Sequence, residues 1–245
     1  MPSDIMRNLR REFRKLADPL KAPQMQAYMK SAMPYHGVSS PLMRQTCRAL
    51  FCELEFTGPQ HWSDAVLSLW RTAKFREERY AAIELSGIRQ AAPFQLPSAI
   101  PVYEEMIVSG AWWDYVDALA SHRVGPIVAS HPREMKLLMS QWSKCDDLWK
   151  RRTSILCQLS AKHATDLKLL YDCIEPSLGE KEFFLRKAIG WALRQYAWTD
   201  AEEIIRYVKE KGDRLSPLSK KEALKNIEPV SYQPSAISPK NKRSS

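Results

Sequence analysis

Apolar residues recur at three- and four-residue intervals along almost the whole chain, and strand-type alternation is nearly absent. That pattern confines the chain to an all-α fold. It predicts helices near residues 3–17, 22–33, 40–54, 61–73, 76–91, 98–109, 112–121, 132–143, 147–160, 164–174, 180–197, 200–211 and 219–227. Pro or Gly stands at the breaks, as at Pro34, Gly58-Pro59, Pro93, Gly110, Gly125-Pro126, Pro132 and Gly212. Ser219 followed by Glu222 has capping-box spacing and should start the last helix. Short helices grouped in units of about 40 residues suggest stacked pairs of the HEAT or armadillo kind. Such a superhelical solenoid offers a concave surface to an elongated ligand.

A chain of 245 residues with 44% hydrophobic content can bury a sizeable core, and residues 1–228 are expected to form a single helical-repeat domain. The remainder, 229–245, "PVSYQPSAISPKNKRSS", has little to bury and is expected to be a disordered basic tail. Lys and Arg total 37 against 28 Asp and Glu, a net charge of +9 that favours an anionic partner such as nucleic acid or an acidic membrane surface. The N-terminal "MPSDIMRNLRREFRKLADPL" is basic and amphipathic, but it lacks a signal peptide's apolar core, and a solvated first helix is expected rather than a membrane-surface one. Five scattered cysteines without Cys-x-x-Cys spacing indicate a reducing compartment and argue against structural zinc. The five histidines show no paired ligand spacing, and there is no Gly-rich phosphate loop or nucleophile elbow.

Three helices carry residues that packing does not account for. In "AWWDYVDALA" each residue advances by about 100°, which places Trp112, Tyr115, Val116 and Leu119 on one apolar stripe. Trp113 and Asp117 then sit about 40° apart on the flank as an aromatic–carboxylate pair. In "KEFFLRKAIGWALRQYAW" Trp191 leaves the apolar stripe and shares a face with Lys187 and Arg194. The plain reading is a tryptophan packed on a neighbouring helix with cationic stems beside it. In "DLWKRRTSILCQLS" the reverse holds, because Arg152 falls inside the stripe of Leu148, Ile155, Leu156 and Leu159. An arginine there needs an anion, either a neighbouring carboxylate or a phosphate.

These segments, with "PLSKKEALKNI" and "QAYMKSAMPYHGVSSP", resemble the AlkD family of bacterial DNA alkylation repair glycosylases, in order from about Gln26 to Ile227. The resemblance implies a HEAT-like solenoid that binds duplex DNA containing alkylated purines on its concave face. It also implies hydrolysis of the N-glycosidic bond of N3- and N7-alkylated purines by a cytoplasmic monomer without metal or other cofactor. The family's cleft tryptophans match Trp113 and Trp191, its catalytic aspartate Asp117, and its backbone-contacting arginine Arg152. Tyr28 matches a family tyrosine near the DNA, although a tyrosine in "AYMK" can equally be core. Lys187 and Arg194 join the expected DNA-binding set through their shared face with Trp191.

The implied chemistry suits those residue types. An alkylated purine already bears positive charge, so the catalytic demand falls on the sugar as it gains oxocarbenium character. A carboxylate such as Asp117 can stabilise that charge and orient water, while indole faces favour cations. Arg152 would hold a phosphate and fix the register. The resemblance further implies action without base flipping, on the exposed sugar and backbone. The rival reading is a non-catalytic helical scaffold for DNA or protein. It explains the charge and the repeats but leaves Trp113, Asp117 and Trp191 as coincidence.

Overall fold

The computed structural model describes residues 2–227, so the expected tail at 229–245 lies outside the described residues. Among the described residues all regular structure is helical. The chain opens with α1 (Pro2–Lys15), α2 (Lys21–Tyr28), α3 (Ser40–Phe51), α4 (Pro59–Arg71) and α5 (Arg76–Ser86). The middle holds α6 (Ile100–Gly110), α7 (Trp113–Leu119), α8 (Gly125–Ser130), α9 (Pro132–Trp142) and α10 (Leu148–Leu156). The last four are α11 (Leu167–Ile174), α12 (Phe183–Ala197), α13 (Ala201–Lys211) and α14 (Pro217–Ala223).

Alternate helices stack into one row, α3 on α5, α5 on α7, α7 on α10, α10 on α12 and α12 on α14. Neighbours such as α4 with α5, α6 with α7, α9 with α10 and α12 with α13 pack as successive pairs. This is the expected solenoid of helical pairs, because each amphipathic helix buries its stripe only against the next. In α1, Leu9 and Phe13 are fully buried. The first helix is therefore amphipathic, with its apolar face in the core and its cations outward except Arg10, which reaches the buried Glu78 at 3.0 Å. Two apolar clusters fill the interior, one built around Trp62, Trp70 and Tyr103 and one around Leu185, Ile189 and Tyr207.

Several expected boundaries move, among them the ends of the helices expected at 76–91 and 147–160, which stop at Ser86 and Leu156, and three changes have a local reason. The helix expected at 22–33 ends at Tyr28, and Lys30 takes a left-handed φ of 48° before the chain runs to Pro34. The left-handed Lys30 ends the helix, and Met33, which precedes Pro34, resists a return to it. The break expected at Gly125-Pro126 is absent, since α7 passes through a π-helical turn at Ala120–Val124 directly into α8. Proline is tolerated in a first turn, and the wider turn spares the upstream carbonyl. Finally, α14 starts at Pro217 under Ser216, whose side chain accepts from the Ser219 N–H. Ser219 is thus not the cap; it is buried inside the helix, and its hydroxyl donates to the Arg186 carbonyl.

Candidate active site

The connection from α6 into α7 is a sharp reversal. Ala111 adopts a left-handed φ of 43°, Trp112 is extended, and α7 begins at Trp113. That reversal places Trp113 and Asp114 in the first turn of α7 and Asp117 one turn later. Trp113 is half-buried against the edge of the first core cluster, whereas Trp112 packs inward on Phe184, with ring centroids 5.6 Å apart. The two adjacent indoles are both half-buried, Trp112 behind the cleft wall against Phe184 and Trp113 in the wall itself.

Asp117 is buried and accepts two hydrogen bonds from Arg152 on α10, from Nε at 2.7 Å and Nη2 at 2.8 Å. This is a parallel fork, the strong form of a carboxylate–guanidinium contact. A further Arg152 arm donates to the Phe184 carbonyl on α12. Of the five N–H groups of a guanidinium, these contacts use three. Burial pushes the Asp117 carboxyl above its ordinary range; the Arg152 hydrogen bonds and charge oppose the rise, and nearby Asp114 adds to it. The carboxylate that answers the misplaced Arg152 is thus the other misplaced residue of the sequence.

On α12, Trp191 is half-buried on the second core cluster. Lys187 and Arg194 stand about one turn before and after it, and both reach Glu222 of α14. The distances are 2.9 Å from Lys187 Nζ and 2.5 Å from Arg194 Nη1. The hydrogen bond from Lys187 leads in holding the Glu222 carboxyl below its ordinary range. Tyr28, at the end of α2, is 78% exposed and so is not core.

All seven residues singled out from the sequence line one cleft of about 440 Å³, namely Tyr28, Trp113, Asp117, Arg152, Lys187, Trp191 and Arg194. Phe183, Phe184 and Glu222 complete its wall. Sequence reasoning missed these three. Both phenylalanines lie in the segment that carries Trp191, but the local spacing marks Glu222 only as half of a helix cap. A second cleft of about 320 Å³ lies on the other side of Trp113, shares Tyr28 with the first, and is lined by Met25, Met43, Tyr80 and Asp114. Among the described residues no group of three or more His, Cys, Asp or Glu side chains could hold a metal ion. No helix among them is long and apolar enough to cross a membrane.

A helical solenoid with an arginine-held carboxylate in a cleft lined by Trp113, Trp191, Lys187 and Arg194 defines the class as a helical-repeat protein. The family model described as DNA alkylation repair enzyme matches residues 9–227, and the chain belongs to that family. Among solved structures it is similar to a predicted DNA alkylation repair enzyme from Enterococcus faecalis, with 28% sequence identity and a TM-score of 0.71. That match covers 86% of this chain and 96% of the other. No curated protein matches the chain. The family places this protein among enzymes of DNA repair.

Proposed function

We propose that the chain is an AlkD-type DNA glycosylase that hydrolyses the N-glycosidic bond of cationic N3- and N7-alkylated purines in duplex DNA, with residues 1–228 acting as one unit. The observation that carries the proposal is the Asp117 carboxylate, buried in the Arg152 fork in the cleft that Trp113 and Trp191 line. Cleavage of the C1′–N bond leaves a neutral alkylated base and a sugar with oxocarbenium character. Asp117, ionised, stabilises that charge and accepts a proton from the incoming water. Arg152 fixes the direction of the carboxylate, and its remaining N–H groups can meet a backbone phosphate. Trp113 and Trp191 offer their ring faces to the cationic nucleotide at about 0.5–2 kcal/mol per contact.

Lys187, Arg194 and Tyr28 bind the backbone beside the lesion. The rim of the cleft is exposed, with Phe183 at 52% and Tyr28 at 78%. That supports action on the sugar without extrusion of the base into a closed pocket. The test is incubation with duplex DNA containing 7-methylguanine. Free 7-methylguanine should appear, with an intact abasic strand beside it as for a monofunctional hydrolase. Salt-sensitive duplex binding with no base release would leave the non-catalytic scaffold instead.

A further inference from the structure

Glu222 is the one carboxylate in the cleft that the proposed chemistry does not use, and its placement is built in. Gly190, immediately before Trp191, lets α14 lie against α12. A Cβ there would come within 2.5 Å of the Glu222 Cβ and 3.0 Å of the Ser219 carbonyl oxygen. The buried Ser219 hydroxyl adds a 2.9 Å bond to the Arg186 carbonyl. Glu222 is therefore held in position by backbone contact and not by its own reach.

Lys187 and Arg194 are seven residues apart, so an α-helix returns them to nearly the same face, with Trp191 between them. Glu222 joins the two with one oxygen each, at 2.9 Å and 2.5 Å. Two donors converging on two oxygens of one centre form a seat that the non-bridging oxygens of a phosphodiester also fit. A carboxylate in that seat has a cost once DNA arrives. It neutralises the cations that would meet the backbone, and left in place it would repel a phosphate.

Building on the glycosylase reading, we propose that Glu222 occupies the place of a DNA phosphate in the free protein and thereby sets the affinity of the groove for undamaged duplex. Binding is an exchange in which the phosphate takes Lys187 and Arg194 and Glu222 gives them up. Weakened binding to undamaged DNA benefits an enzyme that must leave most of the duplex and stop at rare lesions.

The experiment measures undamaged-duplex binding across a salt series for the wild type and Glu222→Gln, which keeps the shape and removes the charge. The variant should bind about two- to fivefold tighter at low salt, the range of a partly exposed ion pair. Its plot of log affinity against log salt should steepen by up to about one unit, one further counterion released. The same substitution in a Lys187→Gln, Arg194→Gln background should gain nothing, which a general change in net charge would not reproduce. Equal or weaker binding by Glu222→Gln with an unchanged slope would overturn the exchange and leave Glu222 as a structural clamp. A wild type that binds duplex without salt dependence would remove the DNA-binding reading itself, and the exchange with it.

Discussion

Helix α7 carries two aspartates, Asp114 and Asp117, and each is gripped by an arginine from a flanking helix of the same row. Arg76 on α5 holds Asp114 at 2.7 and 2.8 Å; Arg152 on α10 holds Asp117 at 2.7 and 2.8 Å. Burial does not distinguish them, since the carboxylate side chains are 15% and 11% exposed. Saturation does. Asp114 also accepts from the Tyr80 hydroxyl at 2.5 Å, which is bonded in turn to Tyr35 at 2.9 Å. Burial, with Asp114 beside it, raises the Tyr80 hydroxyl well above its usual range, so it remains a donor. Arg76 further lies 4.2 Å from the centre of the Tyr115 ring. Asp117 has only its arginine, so acceptor capacity remains on the side of the cleft. With three of its roughly four acceptor positions filled, Asp114 serves as architecture, while Asp117, with two filled and the cleft beside it, can act on a ligand.

The sharpest way to break this comparison is to neutralise each aspartate in turn. Asp117→Asn should lower base release by about 100-fold or more per folded molecule, the scale of losing a transition-state electrostatic contact. Duplex affinity should stay within about twofold, and equal losses in rate and affinity would return Asp117 to a binding role. Asp114→Asn should instead cost about 2–4 kcal/mol of stability, because it leaves Arg76 without its counter-charge. For a chain of this size that lowers the melting temperature by roughly 5–15 °C. Release per folded molecule should change by less than about tenfold, and a larger rate loss would erase the distinction between the two pairs.

A smaller effect sharpens it through pH. In the proposed mechanism Asp117 acts as an ionised carboxylate, and its carboxyl is raised in the folded protein, chiefly by burial. Activity should therefore fall with acidity at a pH above the ordinary carboxylate range. Arg152→Lys weakens the contribution that opposes the rise, so the acid limb should move to higher pH, which a rate profile between about pH 4 and 8 would show. A limb that stays in place would mean that another group titrates. The smallest expected change is Trp191→Leu, with kcat/KM reduced about 2- to 30-fold if the ring meets a cation. A neutral, uncharged substrate analogue should bind both forms equally.

The fold and the cleft were differently legible in the sequence. Periodicity marks which face of a helix is apolar, and it exposed Trp113, Asp117, Arg152 and Trp191 because each sat on the wrong side of its own wheel. It could not say what those residues meet. The pairing of Asp117 with Arg152 spans 35 positions, and that of Arg76 with Asp114 spans 38. Both depend on which helices stack. Glu222 was misread for the same reason, since a local spacing suggested a cap where a contact with α12, 28 and 35 positions away, decides the role.

The π-helical turn at Ala120–Val124 sets the relative rotation of two fastenings. The α7–α8 rod is clasped to α10 at Asp117 with Arg152, and again at Gly125, where a Cβ would come within 2.3 Å of the Cys157 carbonyl oxygen. Eight positions along an unbroken α-helix, the second clasp would lie about 80° around the axis from the first. The slower rotation of an i→i+5 turn takes that offset back and brings both clasps to the same neighbour. The extra residue of the bulge thus works like a shim in a hinge line. Deleting one residue from 120–124 would leave the clasps seven positions apart in ordinary helix, within about 20° of the same face, so the shortened chain should keep both contacts with α10, whereas an added residue would turn one of them away.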